Sequence, residues 1–585
     1  MHFVGSAVRD RGSRRELPAS KTAFSSLGSR LRRRVPLALR VDPSDTANRY
    51  LAPTYIVRAT VGDTTAPPET VATHSYLFIN RVVELSPDQD PPGDSWPESG
   101  GGHDTQMMDY GMDPDVTRSS EYSALIDESL RALPSLSLVT DLDSLFHPTQ
   151  GIYVNAMEEG EDWERFGSIE LLNVDGTPGF QANAGIRIRG GVSRGPHNPK
   201  HAFRLFFRGD YGTPKLESPL FEGEGTSRFD KVDLRTTQNY SWNMDGGGDF
   251  NLNTMNRDVF SRDLQREMGK PYTRSRYYHL YLDGVYWGLF QTEERPDAWF
   301  AETYLGGERD DYDVVKVERD VIDGTSSYYV QATDGTLDSW QQLWNACQTG
   351  FNSDAAYYRL EGRDATGARD PSLPVLVDID NLIDFMLIIF YGANLDAPVS
   401  KWFANESPNN FYALWNRVEP SRGFVFVAHD NEHTLIADRV LITTGVDENR
   451  VSIGEPGGAT DGSGRINDRY QMNVTQFEWF QPQWLHHRLT SNAEYRARIA
   501  ERAHAVLGAG GLMTAQPATD LFNARIAEIE LAIIAESARW GDAQRPDRPR
   551  TENDDWLPAV ERVVDGFLAR RTPIVIQQLT DAGLY

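Results

Sequence analysis

The chain has 585 residues, a single cysteine, 32 prolines and a formal net charge of −27. That length predicts roughly two to four domains, and a content of 39% hydrophobic and 24% charged residues is that of a folding globular protein. The negative balance argues against general nucleic-acid binding, which needs a basic face. Cys347 alone excludes an internal disulfide framework and any cysteine-rich metal site, and reads as a small core residue beside Trp344. No apolar run approaches the ~18 residues of a membrane span.

Residues 1–45 form a basic segment predicted to be disordered; within 1–40, ten Lys or Arg face only Asp10 and Glu16. A membrane- or polyanion-binding arm is the functional alternative, and "VPLAL" is short for the apolar region of a signal peptide. Residues 46–135 read as a β-containing lead, with "TYIVRATVGD" alternating as a strand and "THSYLFINRVVEL" continuing as an extended or mixed stretch. The acidic, proline-rich "SPDQDPPGDSWPESGGGHD" then breaks the pattern. Asp88, Asp90 and Asp94 in that break lack the terminal Glu of a calcium loop and read as a solvated turn.

Residues 136–441 carry the main domain. "SIELLNVDG", "GIRIRGG" and "KHAFRLFFR" alternate at period two, with Ile186 and Ile188 on one face and Arg187 and Arg189 on the other. Between them "RGGVSRGPHNPK" combines glycines with Arg194 and Lys200, a composition that can lay N–H groups and positive charge against phosphate; an ordinary glycine turn is the bland alternative. A helix is predicted in "MNRDVFSRDLQREMG", stopped by Gly269 and Pro271. "RYYHLYLDGVYWGLFQTEERPD" is a hairpin about the favoured Asp283-Gly284 turn, running out into Glu293 and Glu294.

After a mixed stretch that includes "SWQQLWNAC", "DIDNLIDFMLIIFYG" reads as a helix buried on most sides, capped by Asp378 or Asp380 and closed by Gly392. It leads into "ANLDAPVSKWFANESPNNFYALWN" and then "GFVFVAHDNEHTL", where an apolar strand ends in polar groups. Residues 442–585 read as a helical C-terminal region.

Asp396 and Asp430 each follow a buried element, so a rigid scaffold can hold them facing one cleft. Phosphoryl transfer uses such parts: one Asp to accept the proton of a hydroxyl nucleophile, an Asn and a second Asp to hold a divalent metal, and a Lys on a preceding strand to contact the phosphates. Hard oxygen ligands suit Mg²⁺ or Mn²⁺, through which an acidic chain gains ATP affinity.

Taken in order, "GIRIRGGVSRGPHNPKHAFRLFFRGDYG", "YLDGVYWGLFQTEE", "NLD…NNFYALW" and "FVFVAHDNEHTL" resemble the CotH kinase family, named for spore-coat protein H. The resemblance covers roughly residues 151–441 and implies an α+β, atypical protein-kinase-like two-lobed domain with a helical C-terminal extension and a small β-containing N-terminal segment. It implies an ATP- and metal-dependent protein kinase acting on hydroxyl side chains, and an extracytoplasmic or cell-surface setting.

By the same resemblance Asp396 matches the catalytic-loop Asp, Asp430 the main metal ligand, and Asn410, with Asn409 as its neighbour, the metal-binding Asn. Lys200 matches the nucleotide-binding Lys, with Arg189 and Arg194 in the adjoining loop. Its acidic partner is left open between Asp258, Asp263 and Glu267. Glu293 and Glu294 match the end of the hairpin that meets adenine. Glu432 is left open between a further metal carboxylate and a supporting group. Two alternatives stand beside this reading: a catalytically inactive binding module of the same fold, and a carbohydrate-active or carbohydrate-binding protein using acids and surface aromatics. A zinc site on His429 and His433 is the weakest reading, for want of a third strong ligand.

Overall fold

In the computed structural model, residues 53–60, 71–86, 90–91, 96–97, 108–221, 223–244, 252–322, 325–403, 407–440, 443–452, 476–545 and 547–585 are described. The basic segment, most of the acidic Pro/Gly stretch, and Asp88 and Asp94 lie outside them. The chain is mixed α and β and divides into two compact units, the first comprising residues 1–248, 276–293 and 528–556 and the second residues 249–275, 294–527 and 557–585. The C-terminal stretch expected as one helical region therefore contributes to both.

The first unit begins with an antiparallel pair, β1 (Thr54–Thr60) and β2 (Val71–Leu77). The stretch after β2, read as extended or mixed, turns helical at Ile79–Val82. A closed barrel follows, built from β3 (Ser135–Thr140), β4 (Arg165–Leu172), β5 (Pro178–Arg189), β6 (Ala202–Phe206), β9 (Lys231–Arg235), β10 (Ser275–Leu282) and β11 (Val285–Glu293). Two short strands, β7 (Leu216–Glu217) and β8 (Arg228–Phe229), pair separately between β6 and β9. Closure comes from a parallel pairing of β10 with β3, which leaves the barrel no free edge.

Period-two alternation aims Ile186, Ile188, Phe203, Leu205, Val232 and Leu234 into one core. That core also takes Ile534, Ala538 and Trp540 from far along the chain. The β10–β11 hairpin turns where the sequence predicts, with Asp283 and Gly284 both at positive φ.

The second unit holds a four-stranded sheet in the order β13 (Thr325–Asp334), β12 (Tyr312–Ile322), β14 (Phe411–Asn416), β15 (Val425–Ala428). Against it lie α1 (Arg257–Glu267), α2 (Asp338–Thr349) and α3 (Ile379–Gly392). Trp340 of α2 stacks among Phe411, Phe424, Phe426 and Phe480, while Cys347 is buried on the same helix. α3 is buried almost all round, and Asp378 is the residue that caps it, accepting from Asn381 N at 2.9 Å.

The four longest helices of the described tail are α4 (Pro482–Leu489), α5 (Ala493–Leu507), α6 (Ala515–Trp540) and α7 (Ala569–Asp581), with shorter helical segments between Glu552 and Leu568. Arg571 of α7 is wholly buried and donates to Phe390 O and Tyr391 O, carbonyls in the last turn of α3. Among the described residues, no helix is long and apolar enough to cross a membrane.

Candidate active site

Beyond α3 the chain reverses at Ala393, in the left-handed conformation at φ 53°, instead of at the glycine the sequence suggested. Gly392 serves a close approach instead. A Cβ there would fall 2.3 Å from Thr434 Oγ1, and Thr434 Oγ1 donates to Gly392 O at 2.7 Å. The loop that follows α3 is thereby tied to the one that follows β15. Leu395 N donates to His433 O at 3.0 Å, Asn394 Nδ2 donates to Asn431 Oδ1, and Asn394 Oδ1 accepts from Asp396 N at 2.8 Å.

α1 fixes the same region from another direction. Gln265 holds Phe426 O at 2.8 Å and Ala428 N at 2.9 Å, Asp258 Oδ1 accepts from Asn431 N at 2.8 Å, and Arg257 donates to Thr434 O and Leu435 O. Backbone groups at the end of the apolar strand and in the loop after it are thus paired with α1, as burial favours.

Register then sets the chemistry. β14 pairs antiparallel with β15, Phe411 opposite Ala428, so Asn410 and Asp430 leave the ladder at the same end. Both take positive φ, 34° and 56°, which Asn and Asp tolerate better than other side chains. The long spacing between Asp396 and Asn410 is closed by a fold-back: Val399 bridges Pro408, and Asn409 N donates to Pro398 O at 2.8 Å. Asn410 Nδ2 consequently reaches Asp396 Oδ2 at 3.0 Å and Asp430 O at 3.5 Å. All three residues are half-buried amid buried neighbours.

Burial pushes the Asp396 carboxyl up to about 7; Ser400 and Asn409 hydrogen-bond to it and work against that rise, and the Asp430 carboxylate adds to it. His433 is pushed down to about 4 by burial and stacks on Trp402, while His429 packs edge-on against Tyr412. Among the described residues no three His, Cys, Asp or Glu side chains converge as a metal cluster. Glu432, the candidate third carboxylate, is buried and does not complete one with Asp396 and Asp430. The remaining donor set is two carboxylates and one amide, hard oxygens of the kind Mg²⁺ or Mn²⁺ takes. With its amide nitrogen committed to Asp396, Asn410 has its oxygen left to offer.

In the first unit Lys200 lies just before β6 and is 0% exposed. Its Nζ donates to Glu536 Oε1 at 2.6 Å and to Leu289 O at 3.0 Å. The partner is therefore on α6. Asp258 instead pairs with Arg262, Asp263 with Arg266 and Arg525, and Glu267 with Arg266. Burial lowers the Lys200 ammonium from its ordinary range while Glu536 acts to raise it. The phenol of Tyr153 clamps the backbone on both sides, donating to Pro199 O at 2.5 Å and accepting from His201 N at 3.3 Å.

The neighbouring charges expected at a nucleotide turn inward. Arg189 donates to Asp233 at 3.0 Å, and Asp233, which burial would raise, is held down at about 2 by Arg204 and Arg189. Arg194 donates to the carbonyls of Gly190, Ala156 and Glu158 and so braces its own loop. Glu293 is buried against Arg235 at 3.4 Å. In the second unit, Glu294 receives Arg274 at 3.0 Å and the Tyr304 hydroxyl.

A family model described as CotH kinase protein matches residues 186–572. The chain belongs to the CotH kinase family. The matched residues take in Lys200, the Asp396–Asn410–Asp430 set, Glu536 and Arg571, and so run through α4, α5 and α6 into the start of α7. No curated protein matches the chain.

Proposed function

We propose that this CotH-family protein is an ATP- and Mg²⁺- or Mn²⁺-dependent phosphotransferase that acts on hydroxyl side chains of a protein. Its two units would then correspond to the two lobes of a divergent kinase-like fold. One observation carries the reading: Asn410 Nδ2 reaches the Asp396 carboxylate at 3.0 Å and the main-chain carbonyl of Asp430 at 3.5 Å, which gathers the three residues. Asp396, with its carboxyl near 7, is suited to accept a proton from a hydroxyl nucleophile at neutral pH. Asp430 and the oxygen of Asn410 would hold the metal, which when bound neutralises phosphate charge. Lys200, positioned by Glu536, would contact phosphate.

Labelled ATP incubated with the protein and Mg²⁺ or Mn²⁺ should leave label on a protein acceptor. Absence of transfer under both metals overturns the reading. A second reading, a binding module that keeps the fold without the chemistry, has one observation in its favour: the complete burial of Lys200. Nucleotide binding with no transfer would establish it.

A further inference from the structure

β14 runs beside only the first part of β12, from Tyr312 to Lys316, whereas β12 and β13 pair on to Ile322 and Thr325. The far part of this hairpin therefore extends past the strand that delivers Asn410. Arg319 and Tyr328 are directly opposed there, which places both side chains on one face.

The Tyr328 ring packs on Phe403 with centroids 4.4 Å apart. Phe403 closes a turn that starts at the site itself: Ser400 hydrogen-bonds Asp396, Trp402 N donates to Ser400 Oγ at 3.3 Å, and Phe403 N donates to Ser400 O at 3.2 Å. Asp396 also acts electrostatically on the Tyr328 phenol. Next in the turn, Trp402 leans on His433 at 4.2 Å and remains 41% exposed, unusual for so large an apolar surface. Three aromatic rings on two segments thus border the carboxylate assigned to the hydroxyl nucleophile.

We infer that Tyr328, Phe403 and Trp402 form the acceptor platform of this enzyme, taking an extended polypeptide segment whose reactive hydroxyl residue has a bulky apolar neighbour. The inference rests on the phosphotransferase reading. A segment presenting its hydroxyl to Asp396 must pass over whatever borders Asp396, and what borders it on this side is aromatic. Tyr328 and Trp402 are positioning residues: they hold the acceptor and take no part in bond making.

The test uses the full chain with three Ser peptides that differ only in the flanking residue, Leu, Asp or Gly, and compares wild type with Trp402→Ala and Tyr328→Ala. The expected result is preferred transfer to the Leu peptide by wild type. Each variant should raise the KM for that peptide at least about tenfold, with the KM for ATP unchanged. Equal use of the three peptides, use of none of them while another protein is labelled, or a parallel change in the KM for ATP overturns the platform and leaves the phosphotransferase reading intact. Absence of transfer from ATP to any acceptor by wild type overturns both. Tyr328→Phe, which keeps the ring, should behave as wild type.

Discussion

Lys200 Nζ and Glu536 Oε1 meet at 2.6 Å across 336 residues of chain, and neither side chain reaches solvent. Glu536 Oε2 also accepts from Leu289 N at 2.7 Å, so one carboxylate holds both the lysine and a barrel strand. The pair presses against β11 so closely that a Cβ on Gly288, at φ 107°, would fall 2.6 Å from Glu536 Oε2 and 3.0 Å from Lys200 Nζ. Removing one partner strands a buried charge, at a cost of roughly 3–5 kcal/mol, whereas an apolar pair of similar size can restore much of it. Glu536→Ala is therefore expected to lower the unfolding midpoint in denaturant sharply, and Lys200→Met combined with Glu536→Leu to recover only part of the loss, because Leu289 N–H and C=O are left without these partners. Gly288→Ala should be destabilising on its own. A loss in the double variant equal to the sum of those of Lys200→Met and Glu536→Leu taken singly would contradict the pairing.

Acid sensitivity follows from buried histidines. His486 hydrogen-bonds Tyr495 through Nδ1 at 2.7 Å, and burial pushes it down to about 3. His279 lies between Tyr286 and Ser129 O and is pushed down to about 4 by burial. Since Ser129 O can only accept, Nε2 of His279 carries the proton and Nδ1 accepts from the Tyr286 hydroxyl. A folded-state value depressed below the ordinary one gives stability that is present above pH ~6.5 and lost as pH falls toward the folded-state value. Asp283, which burial pushes up to about 7, acts in the opposite sense, its contribution being lost as pH rises through that value.

The variant His486→Phe isolates the first effect. It should be somewhat less stable than wild type at neutral pH, because Tyr495 loses its partner. Its stability should fall less between pH 6.5 and 4, by roughly 3 kcal/mol. Urea unfolding at several pH values checks this, and parallel curves for the two proteins would contradict it.

Asn410 makes a separable prediction. Its amide steadies Asp396 and, in the proposed function, would offer an oxygen to the metal, and its φ of 34° makes most replacements strained. Asn410→Gly keeps the backbone free to adopt that angle while deleting both functions. Mn²⁺-dependent nucleotide binding by calorimetry should weaken by about 10-fold or more, with the unfolding midpoint little changed. Unaltered binding would remove Asn410 from the metal set.

What the sequence disclosed and what it hid have physical causes. The alternating strands of the barrel, the Asp283-Gly284 hairpin and the buried helix ending near Asp396 are local patterns, and each lies where its periodicity and turn residues place it. The placement of Asn410 and Asp430 at the ends of strands was legible in the sequence, and the pairing of those strands brings the two to one end of the ladder. Glu536 was not legible, since nothing local in "LAIIAESARW" distinguishes a buried acid from a solvated one, and α1 offered nearer acids.

Arg189, Arg194 and Glu293 show the same limit from the other side: their chemistry suits a nucleotide, but Asp233, three carbonyls and Arg235 engage them. The β12–β13 hairpin lies within the mixed stretch, although Asp323-Gly324 between β-branched residues is the signal that could have revealed it. Tyr328 is hidden with it.

The most direct measurement separates Asp396 from Asp430, whose proposed roles differ. Mn²⁺-dependent ATP binding and labelled phosphate transfer are followed together in wild type, Asp396→Asn and Asp430→Ala. Asp430→Ala is expected to lose both metal-dependent binding and transfer, while Asp396→Asn keeps binding and loses transfer. Transfer by Asp396→Asn at the wild-type rate, or undiminished metal-dependent binding by Asp430→Ala, would contradict those roles.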